Sequence, residues 1–319
     1  MSKSYYSLGL MSGTSMDGVD ASIIQSDGEK KYKVIIDKYF MYPQGIYKNL
    51  IKLRDKIKSS KDLKKFSTEV KNVEKEITLF HAKAVSQILK KTKVNVDFIG
   101  FHGQTIFHNA EEKISRQLGD GKLLSKLTNK TVIYDFRQND LRNFGEGAPL
   151  TPIFHKLLVK QNKVNLPVTI INIGGIINMT TIQEDGRFDA KDAGPGMCLI
   201  DKWIRSNSKK KYDNKGNIAK AGKINEKILS NGFNSYFLSA DNNLKILQKS
   251  FDVKFFEYFF GGAGTPLLKS LSLEDGVTTL TEFTARILSF HLVDQDRGAP
   301  HIRSSLGSRF IFCGGGRKN

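Results

Sequence analysis

The sequence predicts an α/β protein built from two similar halves, and three observations carry this prediction. Three strand patterns open the chain at residues 5–11, 18–26 and 32–41, joined by short turns. A strand pattern that ends in two glycines restarts this order at residues 167–173. The chain has 319 residues, enough for two domains that each bury a substantial core. Each half therefore begins with an apolar strand that runs into a glycine turn.

The first half continues with one long helix. Apolar residues recur at spacings of three and four from Leu63 to Ile88, which predicts a single helix with a continuous apolar stripe. Residues 96–101 and 131–136 predict two further strands. Three strands followed by helix and strand in alternation is the order of the ribonuclease H-like domain of sugar kinases, actin and Hsp70. We therefore predict a first domain over residues 1–136.

The second half repeats the same order. Strand patterns at residues 176–183 and 187–190 follow its first strand. A helix is expected to begin near Pro195, because proline is favoured in the first turn of a helix. Two halves of this kind would face each other across a cleft and bring both glycine turns to one nucleotide. A structural repeat without a shared ligand is the alternative.

The remainder of the second half contains two loops, a helix and a strand. Residues 207–222 and 295–308 are polar and charged with Gly or Ser, which predicts loops. A helical apolar stripe covers residues 280–290, and residues 309–313 predict a strand that leads into a third glycine turn. The second ribonuclease H-like domain is therefore expected over residues 137–319.

Composition and charge narrow the class of protein. The hydrophobic fraction is 39%, typical of a globular protein rather than a disordered chain. There is no run of roughly 18 apolar residues and no signal-peptide layout, so no membrane partner and a cytoplasmic location are expected. The net charge is +18, but the lysines lie along amphipathic helices without interleaved aromatic residues. We interpret them as solvated faces and expect no nucleic acid partner; a charge-driven nucleic-acid binder is the alternative.

Cysteine and histidine spacing argues against a zinc or disulfide framework. Cys198 and Cys313 stand far apart and next to apolar residues. His102 and His108 lie in a segment that reads as extended, where six residues span about 20 Å, too far to share one ion. Packing or a place near a substrate is the expected role of these histidines.

The turn after the first strand is the leading candidate for a phosphate site. Glycines let backbone N–H groups approach an anion, and the hydroxyl groups of Ser12, Thr14 and Ser15 add donors. The Asp17 carboxylate is a suitable ligand for a metal ion that offsets the anion's charge. An ordinary tight hairpin is the alternative. The candidate nucleotide-binding residues of this turn are Gly13, Thr14, Ser15, Met16, Asp17 and Gly18.

Asp192 is the candidate general base. It stands directly before Ala193-Gly194-Pro195, at the expected start of a helix. A helix N-terminus favours an ionised carboxylate, which can accept a proton. Capping of that helix is the alternative role, because Asp is a common N-cap residue.

Several motifs, all in collinear order, resemble the anhydro-N-acetylmuramic acid kinases of bacterial peptidoglycan recycling. The resemblance covers nearly the whole chain. The segments that carry it are Gly9 to Ala21, Phe101 to Thr105, Asp135 to Arg137, Gly147 to Leu150, Asn172 to Gly175, Asp192 to Gly196 and Cys313 to Gly316.

The resemblance implies a reaction and assigns roles to residues. Members of this family cleave the 1,6-anhydro bond of their sugar with water and transfer the γ-phosphoryl group of ATP to O6, which yields N-acetylmuramic acid 6-phosphate. Asp192 would deprotonate the attacking water, and Mg²⁺ would offset the β/γ-phosphate charge. The first glycine turn together with Gly174 and Gly175 would hold the phosphates, and Gly314, Gly315 and Gly316 the adenosine side. The resemblance also implies a possible homodimer.

Two further residues are implied to contact the sugar. Arg137 would pair bidentately with the lactyl carboxylate of the substrate, as guanidinium groups do. A surface or interdomain salt bridge is the alternative for Arg137. Gln104 is expected near the sugar as well.

The chain departs from the family pattern at four positions and at its end. The family has Gly and Gln where this chain has Phe144 and Glu146, and Thr and Asn where it has Ala193 and Met197. A relaxed substrate preference or reduced activity is expected from these changes, so an impaired ATP-binding relative is the alternative function. The sequence stops at Asn319, where family members continue, so a C-terminal truncation and some exposed apolar surface are expected.

Overall fold

The computed structural model describes residues 3–243, 268–294 and 309–318. The chain forms two compact units, Met1–Ala148 and Pro149–Asn319. The first unit contains six strands and five helices within the described residues. They are β1 (Tyr5–Ser12), β2 (Gly18–Ser26), β3 (Tyr32–Met41), α1 (Gln44–Lys56), α2 (Ser60–Lys65), α3 (Ser67–Leu89), β4 (Phe98–Asn109), β5 (Ile114–Leu118), α4 (Gly121–Thr128), β6 (Thr131–Tyr134) and α5 (Gln138–Arg142).

One mixed sheet organises the first unit. Its order is β3-β2-β1-β4-β5, and β6 pairs with the beginning of β4. Strands β1 to β3 are antiparallel, whereas β4 runs parallel to β1 and β6 parallel to β4. The apolar stripe of α3 packs against this sheet through buried residues such as Val73, Ile77 and Ile88. This strand order and polarity confirm a ribonuclease H-like unit.

The predicted single helix over residues 63–88 is wrong at its beginning. Ser59 and Asp62 form a capping box that starts the short helix α2, and Phe66 leaves helical geometry with φ −103° and ψ 27°. The long helix α3 therefore begins at Ser67. Because a capping box satisfies the free N–H groups of a helix start, two helices form where the apolar spacing alone suggested one.

The second unit contains four strands and four helices within the described residues. They are α6 (Pro152–Gln161), β7 (Val168–Ile173), β8 (Ile176–Ile182), β9 (Phe188–Pro195), α7 (Cys198–Asn207), α8 (Glu226–Asn243), α9 (Leu273–Asp294) and β10 (Arg309–Cys313). The expected loop at residues 207–222 holds only a short 3₁₀ turn at Ala219–Ala221. The loop expected at residues 295–308 lies outside the described part of the chain.

The sheet of the second unit repeats the topology of the first. Its order is β10-β7-β8-β9, with β7, β8 and β9 antiparallel and β10 parallel to β7. This corresponds to the order β4-β1-β2-β3 of the first sheet. The structure thus confirms two α/β units of the ribonuclease H-like type.

Helices cover both faces of the second sheet. On one face, Val159 of α6 joins a core with Val168, Ile170 and Ile182. On the other face, Ile171, Ile177, Met179 and Ala193 pack with Leu288 and Leu292 of α9. Residues that alternate along each strand therefore point to different helices, which defines the surroundings of each polar side chain on this sheet.

The first unit extends beyond Phe136, where the domain boundary was expected. Arg137 Nη1 donates to the carbonyl oxygen of Gly147 at 2.6 Å, and the Gly147 N–H donates to Asp140 Oδ2 at 2.7 Å. These bonds fold the segment after β6 back onto α5, so the compact unit ends at Ala148.

Two surface properties complete the description. Phe310 and Phe312 on β10 are 39% and 45% exposed, so apolar surface is open on this strand. Across the described ranges, none of the helices combines the length and apolar character needed to cross a bilayer.

Candidate active site

The first glycine turn joins β1 to β2 as a compact loop. The Met16 N–H donates to the Gly13 carbonyl oxygen at 3.1 Å, and Met16 itself is buried with φ +57°. At Gly18 a Cβ atom would lie 2.5 Å from the Phe40 carbonyl oxygen, so only glycine fits there. The Tyr42 N–H donates to the Asp17 carbonyl oxygen at 2.8 Å. The sequence therefore builds a fixed turn rather than a loose connection.

A buried polar cluster lies below this turn and was not predicted. His81 Nδ1 lies 2.8 Å from the Ile77 carbonyl oxygen, which can only accept, so Nδ1 carries the proton. His81 Nε2 then accepts from the Ser12 hydroxyl at 3.3 Å, and Ser12 accepts from the Tyr42 hydroxyl at 2.7 Å. Burial lowers the pKa of His81 to about 4, so its ring is neutral. Helical apolar spacing gave no sign of this cluster, because His81 occupies a core position of α3.

The position of Ser12 corrects one prediction. Its side chain is 2% exposed and hydrogen-bonded within the core, so the Ser12 hydroxyl does not face a ligand of the turn. Ser15 Oγ donates to Asp17 Oδ1 at 2.5 Å. Thr14, in contrast, is exposed at the surface of the turn.

Gln104 supports the turn from β4. Its Nε2 donates to the Gly13 carbonyl oxygen at 3.0 Å, and the residue is 0% exposed. Its Oε1 is buried and has no hydrogen-bond partner among the described residues. Gln104 thus supports the turn from β4, and its contact with the sugar stays a prediction.

Asp17 lies in an acidic surrounding on one edge of the turn. The pKa of Asp20 is raised by burial and by the neighbouring carboxylates of Asp17 and Asp37. Burial and the hydrogen bond to Asp17 raise the pKa of Tyr39. Among the residues that the structure describes, no three His, Cys, Asp or Glu side chains come together as a metal site. The Asp17 carboxylate is of the kind that suits Mg²⁺, which keeps water and phosphate oxygens as its other ligands.

Arg137 is oriented by His102. His102 Nδ1 lies 2.9 Å from the Gly103 carbonyl oxygen, so Nδ1 carries the proton and Nε2 is an acceptor. Arg137 Nε and Nη2 lie 3.2 and 2.9 Å from this Nε2. Burial and the Arg137 charge lower the pKa of His102 to about 4, so the ring stays neutral beside the guanidinium. The histidine that sequence reasoning assigned to packing or a substrate site therefore positions the predicted carboxylate partner.

In the second unit, the glycine turn at Gly174 and Gly175 packs against the start of α7. The N–H groups of Met197 and Cys198 donate to the carbonyl oxygens of Gly174 and Gly175 at 2.8 and 3.1 Å. The Gly196 N–H also donates to Gly175, at 3.0 Å. Since these carbonyl groups satisfy the helix start, α7 begins at Cys198, three residues after the expected Pro195, which instead ends β9.

The third glycine turn, at residues 314–316, lies against the end of β7. Gly314 has φ +84°, and a Cβ at this position would overlap the Ile173 carbonyl oxygen. A Cβ at Gly316 would likewise overlap the Ile173 side chain and lie 3.0 Å from Met197 Sδ. The turn at residues 314–316 therefore packs against Ile173, the residue directly before Gly174.

Asp192 lies in strand β9 and not at a helix N-terminus. It is 6% exposed, pairs with Asn178 in the β8–β9 ladder and accepts a hydrogen bond from Asn178 Nδ2 at its Oδ1. Capping of α7 by Asp192 is therefore wrong, because Met197 is the N-cap residue. The expected neighbour of the Asp192 carboxylate was the N-terminus of a helix. The structure instead places the side-chain amide of Asn178 beside it.

Three of the four positions that depart from the family pattern lie in different parts of the structure. Ala193 is fully buried and packs toward α9, on the face opposite Asp192. Phe144 is 85% exposed at φ +66°, with Lys113 Nζ 3.8 Å from its ring centroid. Met197 caps α7 beside Gly174. Of the three, only Met197 lies against a predicted nucleotide turn.

Fold and site together define a class of protein. Two ribonuclease H-like units, each with a glycine turn after its first strand, and a buried carboxylate on the second sheet are the features of a phosphotransferase of the sugar kinase type. The sequence comparison gives the family: the profile described as anhydro-N-acetylmuramic acid kinase matches residues 5–319. The chain belongs to the anhydro-N-acetylmuramic acid kinase family.

Individual relatives agree with this assignment. The chain is 50% identical over 321 residues to the anhydro-N-acetylmuramic acid kinase of Pelagibacter ubique (strain HTCC1062), covering 100% of this chain and 82% of the relative. It is 34% identical over 317 residues to that of Agrobacterium fabrum and 35% identical over 320 residues to that of Rhizobium etli. In both cases the match covers 98% of this chain and 80% of the relative.

Proposed function

We propose that this protein is an ATP-dependent kinase that hydrolyses the 1,6-anhydro bond of 1,6-anhydro-N-acetylmuramic acid and phosphorylates O6. The products are N-acetylmuramic acid 6-phosphate and ADP, and the reaction belongs to peptidoglycan recycling in the cytoplasm. The observation that carries this proposal is the buried Asp192 carboxylate on β9, which accepts a hydrogen bond from Asn178 on β8. Membership of the family supplies the substrate and the reaction.

Asp192 acts as the general base. It takes a proton from the water that attacks C1, the C1–O6 bond breaks, and O6 attacks the γ-phosphorus while the bond to the β-phosphate oxygen breaks. Each half of the reaction creates the group that the other half needs, so the protein mainly aligns the reactants. A carboxylate that is buried and oriented by an amide suits this task, because it cannot rotate away from the water.

The glycine turns hold ATP. Exposed Thr14 and the backbone of residues 13–18 supply donors for the phosphates, together with Gly174 and Gly175. The turn at residues 314–316 contributes to the adenosine side. The bonds that fix Gly13 from Gln104 and Met16 keep the first turn in shape before ATP binds.

Asp17 is the residue that would hold Mg²⁺, whose charge offsets that of the β- and γ-phosphates when it is bound. Arg137 binds the lactyl carboxylate of the sugar. Its guanidinium is held by the neutral His102 ring and the Gly147 carbonyl oxygen, neither of which cancels its positive charge. A guanidinium pairs well with a carboxylate such as that of the sugar.

An assay of ADP release tests the proposal. The protein is supplied with ATP and Mg²⁺ and with a panel of 1,6-anhydro and ordinary amino sugars, and the sugar product is analysed by mass spectrometry. Turnover is expected with 1,6-anhydro-N-acetylmuramic acid and absent in Asp192→Asn. A folded wild-type protein that binds ATP and releases no ADP with any of these sugars would instead support an impaired ATP-binding relative.

A further inference from the structure

Four polar side chains form a row across all four strands of the second sheet. The ladders align Cys313 with Asn172, Asn172 with Asn178, and Asn178 with Asp192. The side chains are bonded in the same order. Cys313 Sγ lies 3.7 Å from Asn172 Oδ1, Asn172 Nδ2 lies 3.4 Å from Asn178 Oδ1, and Asn178 Nδ2 donates to Asp192 Oδ1.

The direction of the row is set by its last member. A carboxylate can only accept, so Asn178 must present its amide nitrogen to Asp192 and its oxygen to Asn172. Asn172 in turn presents its nitrogen to Asn178 and its oxygen to the Cys313 thiol. Every donor therefore points toward Asp192, and bonds aligned in this way strengthen one another.

A β-bulge brings Asp192 into this row. Ile177 pairs with Gly194 and Asn178 with Asp192, so Ala193 has no partner on β8. The extra residue turns Asp192 to the face of Asn178 while Ala193 packs toward α9. Without the bulge, Asn178 would oppose Ala193, and its amide would not reach the carboxylate.

The other ionisable groups near this face have different contacts. His155 of α6 bonds to Thr180 at 2.9 Å, and burial lowers its pKa. Lys156 of α6 lies over the ring of Phe188. Cys313 stands at the far end of the row, and burial raises its pKa. Helix α9, with His291, covers the opposite face. Asn178, in contrast, bonds directly to Asp192.

We propose that Asn178 is a positioning residue for Asp192: its amide fixes the rotation of the carboxylate and stabilises the ionised form that accepts the proton. The inference rests on the proposed function, in which Asp192 is the general base. It adds a residue that does not touch the substrate but sets the pH range in which the base works.

The pH dependence of kcat/KM for the sugar tests this role. Because a hydrogen bond to the ionised carboxylate favours the charged form, removing the donor is expected to move the acid limb up by about one pH unit or more. Asn178→Ala and Asn178→Leu are expected to show this shift, with the KM for ATP unchanged. Asn178→Asp places a like charge beside Asp192 and is expected to shift the limb further.

Thr180→Val is the matched control. Thr180 lies two residues after Asn178 on β8 and on the same face of the sheet. The Thr180→Val substitution removes its hydrogen bond with His155 and keeps the bond between Asn178 and Asp192. Its acid limb is expected to coincide with that of the wild type. Loss of activity that is equal at every pH in the Asn178 variants would overturn the proposal, since it would indicate only a structural role.

A titration without substrate separates this inference from the proposed function. The carboxyl carbon of Asp192 is followed by ¹³C NMR in Asp-labelled protein, with Asp192→Asn to assign the signal. A higher titration midpoint in Asn178→Ala supports the positioning role even if no sugar turns over. An unchanged midpoint in a folded variant overturns it, whatever the activity. If Asn178→Ala does not fold, Asn178→Ser, which keeps a small polar side chain, takes its place.

Discussion

The side chain of Arg137 is held in position by two neighbouring residues, His102 and Gly147. The neutral His102 ring accepts from its Nε and Nη2 atoms, and the Gly147 carbonyl oxygen accepts from Nη1. These three contacts hold the guanidinium in one plane. A fixed guanidinium of this kind can select a carboxylate on a ligand, whereas a lysine ammonium in its place could not make the same paired contacts.

Replacing Arg137 should weaken binding of the sugar alone. Arg137→Lys is expected to raise the KM for 1,6-anhydro-N-acetylmuramic acid by about tenfold or more, since hydrogen bonds to charged groups contribute about 1.5–3 kcal/mol. The KM for ATP should change little. Steady-state kinetics with each substrate varied in turn provide the measurement.

A sugar without the lactyl group is the control for this effect. With 1,6-anhydro-N-acetylglucosamine, the wild type and Arg137→Lys should have the same kinetic constants. An equal loss with both sugars would mean that Arg137 supports the fold of the segment around Gly147 and does not read the carboxylate.

His81 links two elements of the first unit, strand β1 and helix α3. Its ring lies against Phe101, with centroids 4.9 Å apart, and its two nitrogens bond to Ile77 and Ser12. The ring is completely buried and neutral. The cluster thereby fixes the end of β1 from which the first glycine turn starts.

Acid should destabilise the first unit through this histidine. The folded pKa of about 4 lies below the ordinary 6.5, so the unfolded chain takes up the proton first as the pH falls. The contribution is complete above about pH 6.5 and is lost toward pH 4, which amounts to about 2 kcal/mol between pH 7 and pH 5. His102, with a pKa also lowered to about 4, acts in the same direction.

Urea unfolding at pH 7 and pH 5 measures this effect. The free energy of unfolding of the wild type should fall, and His81→Gln should show a smaller fall because it lacks one titrating group. The same pH dependence in both proteins would contradict the assignment of a buried neutral ring to His81.

The turn after β10 offers a second prediction at the scale of an element. Gly314→Ala places a Cβ on a backbone with φ +84° and against the Ile173 carbonyl oxygen. The free energy of unfolding should fall by about 1–3 kcal/mol, the usual cost of such backbone strain. Gly315→Ala is the matched control, because a Cβ at Gly315 would have no atom within 4 Å and its φ is not in the left-handed region. Similar stability of the two variants would contradict the described geometry of this turn.

For the whole molecule, local patterns predicted most of the strands and the order of the halves, but not β5. The bounds of β2, β3 and β10 agree with the predicted 18–26, 32–41 and 309–313, because period-two alternation and turn residues are local signals. The family motifs also indicated Asp192 and Arg137. Their structural neighbours could not be predicted in the same way.

The side-chain contacts that were missed at the site depend on pairing between distant segments. Asn178 meets Asp192 only because a bulge in β9 shifts the register, and His81 meets Ser12 only after α3 packs on the sheet. The start of α7 moved because carbonyl groups of the turn at Gly174 satisfy it from outside the helix. Side-chain periodicity contains no information on such contacts.

The net charge of +18 should influence how the protein meets its anionic substrates. ATP and the sugar carboxylate are both negative. We therefore expect kcat/KM for ATP to decrease as salt is raised above about 0.1 M, because the Debye length then becomes shorter than about 10 Å. Stopped-flow or steady-state kinetics at several ionic strengths test this. A rate independent of salt would show that the lysines act only as solvated faces.

The coupling of water attack at C1 to phosphoryl transfer is tested most directly by running the reaction in H₂¹⁸O and analysing the products by mass spectrometry. One ¹⁸O atom should appear on C1 of the sugar phosphate and none in its phosphoryl group. Asp192→Asn should form neither the sugar phosphate nor ADP. Label in inorganic phosphate together with an intact anhydro sugar would show that water attacks ATP instead, and would contradict the role given to Asp192.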